Sequence, residues 1–212
     1  MPSPVIVWFR NDLRLRDHPA LMAAVATGQP VVCLYIYESG MGAASQWWLH
    51  HALSKLSQTL VIRAGDARQV MQDVIRETGA KAVYWNRNYE PQAIARDTSI
   101  KADLKTQGIE AHSFKGNMMF EPWEVKTGSG TPFKVFTPFY KACLANSHLI
   151  GAGLPAPDKI NLHPLEGLAV TDLKLLPSIP WDRGFDWQVG EDGAHAALHD
   201  FIDGPMAAYK DM

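Results

Sequence analysis

WNRNYEP, residues 85–91, places Asn86, Arg87, Asn88 and Glu90 directly after an apolar run and before a proline-led segment. Amides that both donate and accept, beside a fixed cation and a carboxylate, suit a polar heterocycle with ring N–H and C=O groups. The same residues can equally do no more than shape a turn and cap a helix. WFRNDLRLRDHPAL, residues 8–21, packs Arg10, Asp12, Arg14, Arg16 and Asp17 into eight positions at the end of another apolar run. Trp47 and Trp48 are neighbours in a segment of helical period. His195 and His199 stand four apart with Glu191 one turn earlier, the spacing of a helical metal pair, yet no further ligand accompanies them and they read as solvated residues. KTGSGTP fits neither a phosphate loop nor a dinucleotide fingerprint and reads as a turn. No nucleophile, base and orienting group fall into a recognisable order, so the expected chemistry is binding.

Five short runs rich in β-branched and aromatic residues, at 4–9, 30–37, 60–63, 81–86 and 109–114, must position these side chains. They are apolar on both faces, as parallel strands covered by helices are. Asp17 is expected to cap the first intervening helix, with Pro19 in its first turn; Asp66 caps another that Gly79 stops; Pro91 opens one running to about Gln107. The alternation predicts an α/β fold, a doubly wound, Rossmann-like five-stranded parallel sheet with helices on both faces. Ligands of such sheets sit beyond the carboxyl ends of the strands, which directs attention to 10–16, 37–42, 64–66 and 86–90.

Leu49, Ala52, Leu53, Leu56 and Leu60 form one helical stripe, which puts Trp48 at its edge and Trp47 nearly opposite. Trp47 then either lies under another segment or offers a stacking platform to a planar ligand. The stripe runs straight into the strand that starts at Leu60, although a helix-to-strand connection usually takes about 2–6 residues. Residues near Thr59 to Val61 are therefore expected to be missing, or a loop to have been deleted.

With 212 residues, 47% of them hydrophobic, the chain can build one well-buried core and an appendage. The expected organisation is an α/β domain at 1–145, an irregular linker with several prolines at 146–190, and at 191–212 a helix beginning a further unit. A net charge of −2 gives no overall basic footprint for a phosphate backbone. Cys33 and Cys143 lack CxxC spacing, which fits a reducing cytoplasm without disulfides or thiolate-bound metal. No apolar run reaches membrane-spanning length.

VIVWFRNDLRLRDHPAL (5–21), AVYWNRNYEPQAIARD (82–97) and FKVFTPFYKACL (133–144), the last preceded by EPWEVKTGSGTPF, together resemble the DNA photolyase and cryptochrome family, and most of all the bacterial photolyases for cyclobutane pyrimidine dimers. WDRGFDWQVGEDGAHAAL resembles the linker and helix leading into that family's flavin domain. The resemblance implies an N-terminal domain that binds an antenna pigment. FAD, the electron-relay tryptophans and the DNA groove would belong to a helical C-terminal domain that this chain lacks, so it is expected not to repair DNA alone. Residues implied for the antenna are Arg10, Tyr35, Trp47, Trp48, Asn86, Asn88 and Glu90. The pigment favoured is a folate, methenyltetrahydrofolate, with a deazaflavin as alternative; Gln92 and Ala93 stand where one folate-binding branch carries an Asn-Glu pair. Arg14 and Arg16, with carboxylates such as Asp12 and Asp17, are expected to dock the loop to the linker and the flavin domain. The implied protein is a cytoplasmic monomer that meets damaged DNA through its flavin domain. A cryptochrome-like light receptor and a free-standing nucleotide-binding module remain as readings of other classes.

Overall fold

Five strands alternate with four helices in a computed structural model that describes residues 2–211. The strands are β1 (Val5–Phe9), β2 (Val31–Tyr37), β3 (Val61–Ala64), β4 (Ala82–Asn86) and β5 (Glu110–Phe114); the helices between them are α1 (Pro19–Ala26), α2 (Ala43–Lys55), α3 (Ala67–Thr78) and α4 (Pro91–Thr106). The strands pair in parallel in the order β3-β2-β1-β4-β5. Every residue of β1 is buried, and alternate side chains feed two cores. Val5, Val7 and Phe9 pack with residues of α1 and α2; Ile6 and Trp8 pack with residues of α3 and α4. That two-sided burial is why the strands read as unbroken apolar runs. Strand order reverses at β1 and β4, whose carboxyl ends therefore flank a natural crevice.

Asp66 caps α3 by accepting from the Gln69 amide, and Gly79 ends it in the left-handed conformation, as the residue types require. The start of α1 differs from expectation. His18, not Asp17, is the cap: its Nδ1 accepts the Leu21 amide at 3.1 Å. Asp17 instead takes a left-handed φ of 47° and ties the loop to Leu154, donating its amide to the Leu154 carbonyl at 2.8 Å. The junction after α2 also closes without further residues. The helix stops at Lys55, and the Thr59 and Leu60 amides both donate to the Leu56 carbonyl, giving a five-residue connection. Leu60 is buried at the entry to β3 and not on the helical stripe.

Beyond the sheet lie α5 (Phe136–Ala145) and α6 (Glu191–Asp203). The chain between them is irregular but docked. Asn161 and His163 bracket Val31 with two backbone bonds of 2.8 and 2.9 Å, and the Leu168 amide donates to Ile62 on the outer edge of β3. Gly167 permits that approach, since a Cβ there would lie 2.9 Å from the Ile62 nitrogen. The linker thus covers a sheet edge that would otherwise offer unpaired backbone groups, and Leu175 is buried in the core. By contrast Phe136 and Tyr140 on α5, and Leu198, Phe201 and Ile202 on α6, remain exposed.

Candidate functional site

The loop from Arg10 to Asp17 leaves β1 where the crevice opens, and its charges are mostly turned inward. Arg10 is buried, with Nη1 donating to both Asp97 oxygens at 2.9 and 2.8 Å and Nη2 to the Asn86 carbonyl. Its guanidinium lies 4.6 Å from the Trp8 ring centre. Asp97 also accepts from the Trp85 indole at 3.1 Å. One guanidinium nitrogen is shared between both Asp97 oxygens and the other goes to a β4 carbonyl, so a single side chain fixes the end of β1 to α4 and β4. Burial pulls the Arg10 pKa below its ordinary value, with Asp97 the chief opposing influence.

Asp12 and Asn86 form a second buried knot. The Asp12 carboxylate accepts the Arg10 amide at 2.8 Å and the Asn86 side chain at 2.7 Å, and it lies 3.3 Å from His18 Nε2. Asn86 is 0% exposed and also accepts the Ala20 amide. Gly116 passes directly over it, leaving no room for a Cβ. Asn86 is thus spent on bracing β1, β4 and α1 together. Asp12, expected to pair with the loop arginines, belongs to this knot instead. Burial alone would raise its pKa; His18, the Arg10 amide and Asn86 together outweigh burial and leave it lowered. A carboxylate whose folded pKa is depressed contributes stability above its unfolded pKa and loses it as pH falls through the folded value. Replacing Asp12 with Asn is therefore expected to flatten the loss of stability below about pH 4. Denaturant melts across that range check this; an unchanged acid limb would count against it.

Arg14 does join the loop to later chain, through backbone carbonyls and not carboxylates: it donates to Asp17 at 2.8 Å and to Gly116. The Arg16 side chain is exposed, and the docking at that position runs through its backbone. The amides of Leu15 and Arg16 donate to the two carboxylate oxygens of Glu191, each at 2.9 Å.

The loop divides two clefts. One, of about 450 Å³, is lined by Tyr35, Trp48, Leu49 and Met41 on one side and by Arg10, Asn11 and the start of α6 on the other. The second, of about 1030 Å³, opens at the β1–β4 crevice and is lined by Asn88, Tyr89, Glu90 and the segments at 115–119 and 150–154. The seven residues expected to form one site are consequently split. Arg10, Tyr35 and Trp48 border the smaller cleft, Asn88 and Glu90 border the larger, and the buried Asn86 and Trp47 border neither.

Of the two readings open for Trp47, the structure shows the one in which it lies under another segment, and Trp48, at the stripe's edge, is left half-exposed. Trp47 is 8% exposed, bonded to Asp182 through its indole nitrogen at 2.9 Å and packed against Phe185 and Val189. Trp48 is 43% exposed and faces the cleft. The linker at 182–189 covers what a free helix would leave bare, and helical periodicity cannot foresee that cover. In the cleft, burial is the main reason the Tyr35 hydroxyl is pushed up to about 12, so it keeps its proton and can donate.

Asp97 and Glu191 hold this region together; sequence reasoning marks no role for Asp97 and places Glu191 only beside a histidine pair of solvated character, whereas its carboxylate accepts the Leu15 and Arg16 amides. Asp97 carries a signal: a carboxylate spaced with Ile100 and Leu104 on the buried face of α4. Among the described residues, no three His, Cys, Asp or Glu side chains are grouped to hold a metal ion. No helix is long and apolar enough to cross a membrane.

A sequence profile described as DNA photolyase matches residues 5–158. A deoxyribodipyrimidine photo-lyase of Agrobacterium fabrum is 41% identical over 224 residues, covering 99% of this chain and 47% of its own. That match is longer than the chain, so the relative carries extra residues inside the matched span. Cryptochrome-1 of Arabidopsis thaliana is 34% identical over 225 residues, 97% of this chain and 33% of its own. The crystal structure of a bacterial class III photolyase from Agrobacterium tumefaciens superposes with a TM-score of 0.92 and 40% identity, over 100% of this chain and 47% of that one. The chain spans about half or less of the length of these relatives.

Proposed function

Because this chain belongs to the DNA photolyase family, we propose that it is the antenna-holding part of a light-driven repair enzyme for pyrimidine dimers, with the pigment seated in the cleft between Trp48 and Tyr35. The single observation that carries the reading is the half-exposed face of Trp48 over a cleft of about 450 Å³. That size suits one conjugated heterocycle. A flat ring gains most from an aromatic face with a few polar groups at its edge, here Asn11, Ser45 and the Tyr35 hydroxyl. These residues fit a folate, methenyltetrahydrofolate being favoured over a deazaflavin. When bound, the pigment would absorb near-ultraviolet light and pass the excitation through space. The protein's own task is then to hold it rigidly, and a site without acid, base or nucleophile suffices.

Arg10 borders this site and, with the buried Asn86, fixes the end of β1, and Asn88 and Glu90 belong to the neighbouring cleft. FAD and damaged DNA would be handled by a helical unit beyond residue 212. The exposed apolar faces of α5 and α6 support such a neighbour. The free thiols Cys33 and Cys143 are in keeping with a cytoplasmic setting, and the protein is proposed to act as a monomer.

Titrating residues 1–212 separately with methenyltetrahydrofolate and with a deazaflavin, followed by indole fluorescence, tests the reading. Saturable binding with the folate tighter is the expected result. Failure of both pigments to bind in the millimolar range would overturn it. In the longer protein, dimer repair in light but not in darkness separates a photolyase from a cryptochrome-like receptor; the higher identity to the photo-lyase favours the former.

A further inference from the structure

The smaller cleft is only partly a feature of the sheet. Its third wall is the start of α6, where Gly190, Glu191 and Ala194 face Trp48 and Leu49. Three contacts bring that wall in. Trp47 bonds Asp182, Val189 packs on Trp47 and Ala52, and Glu191 accepts the amides of Leu15 and Arg16. The first two anchor the linker to α2. Among the described residues, only Glu191 makes hydrogen bonds between α6 and the loop at 10–17. The turn into α6 is itself sharp: Gly190 sits at φ +99°, and a Cβ on Gly193 would run into the Gln188 carbonyl. The helix can therefore meet the loop only from a narrow range of directions.

The geometry points to Glu191 as a positioning residue that latches the loop to α6 and so closes the pigment cleft. One carboxylate satisfies two consecutive backbone N–H groups with two oxygens, a charge-assisted arrangement that no neutral side chain reproduces. Glu191 itself lines the cleft, and the loop it bonds at Leu15 and Arg16 lines it through the preceding residues 10–14. Holding a ligand in a closed cleft requires both walls to stay in register. Releasing Glu191 lets the start of α6 part from the loop, which Arg10 and Asp12 still hold to Asp97 and Asn86, and Arg14 and Asp17 to Gly116 and Leu154. The inference rests on the seating of the pigment proposed above.

Four variants of the 212-residue chain test it, with methenyltetrahydrofolate as probe and amide hydrogen exchange on the ligand-free protein as second readout. Glu191→Ala is expected to weaken folate binding about tenfold and to speed exchange at Leu15 and Arg16. Glu191→Gln, which keeps one acceptor oxygen, should fall between. Asp192→Ala removes a neighbouring carboxylate from the same first turn without touching the loop, and should leave both readouts unchanged. Trp48→Ala reports on the seating itself. If Glu191→Ala binds as tightly as the unaltered chain while Trp48→Ala does not, the latch is overturned and the seating stands. Equal losses in the Glu191 and Asp192 variants would assign the effect to helix stability and also overturn the latch. If Trp48→Ala binds normally, the seating fails and the latch with it.

Discussion

Trp48→Ala is expected to weaken pigment binding by about 30-fold or more, the equivalent of roughly 2 kcal/mol for truncating a central aromatic contact. Trp48 is the tryptophan that lines the cleft; Trp187 meets it edge-on with ring centres 6.0 Å apart but is not part of the lining. Stability should change little, because a side chain that is 43% exposed contributes little to the core. Trp47→Ala should act chiefly on stability, and on binding only through the linker it anchors. Its ring is buried under the linker and its nitrogen holds Asp182, so removal leaves a cavity and an unpaired acceptor, costing about 3–5 kcal/mol. Fluorescence titration and thermal melts on both variants separate the roles. Equal binding losses from the two at equal stability would contradict the assignment.

Asp97→Ala should destabilise the fold by about 3–5 kcal/mol, since it strands a largely buried Arg10 cation without its counter-charge. Among the described residues Asp97 is the one ion-pair partner of the Arg10 side chain, and Trp85 loses its acceptor at the same time. For a chain of this size the melting temperature should drop by roughly 10 °C. Removing both charges, as Arg10→Met with Asp97→Leu, should restore most of the loss, because the penalty comes from the charge left alone and not from the missing attraction. A double-mutant cycle on the melting temperature reads this directly. A single Asp97→Ala variant as stable as the parent would mean that the guanidinium finds water or another partner.

The same physics separates what is legible in the residues from what is not. Parallel strands buried on both faces, such as VIVWF and AVYWN, leave a run with no polar interruption, and helix ends such as Asp66 and Gly79 obey local rules within one turn. Both depend on residues close in sequence, so the fold class, the strand positions and the charge-rich loop after β1 can be read from the amino acids. The family resemblance rests on those same local stretches. Where the chain meets itself from far away, local reasoning fails. Nothing in the period of α2 says that residues 182–189 will cover Trp47 and leave Trp48 open. Nor does the spacing of Arg10, Asp12 and Arg14 say that each will turn to a different distant partner: Asp97, Asn86 and Gly116. Residue order alone sets a sheet with ligand-facing loops at its carboxyl ends. That the loop after β1 becomes a wall between two clefts follows only from the packed chain, because burial and pairing depend on which distant segments come together.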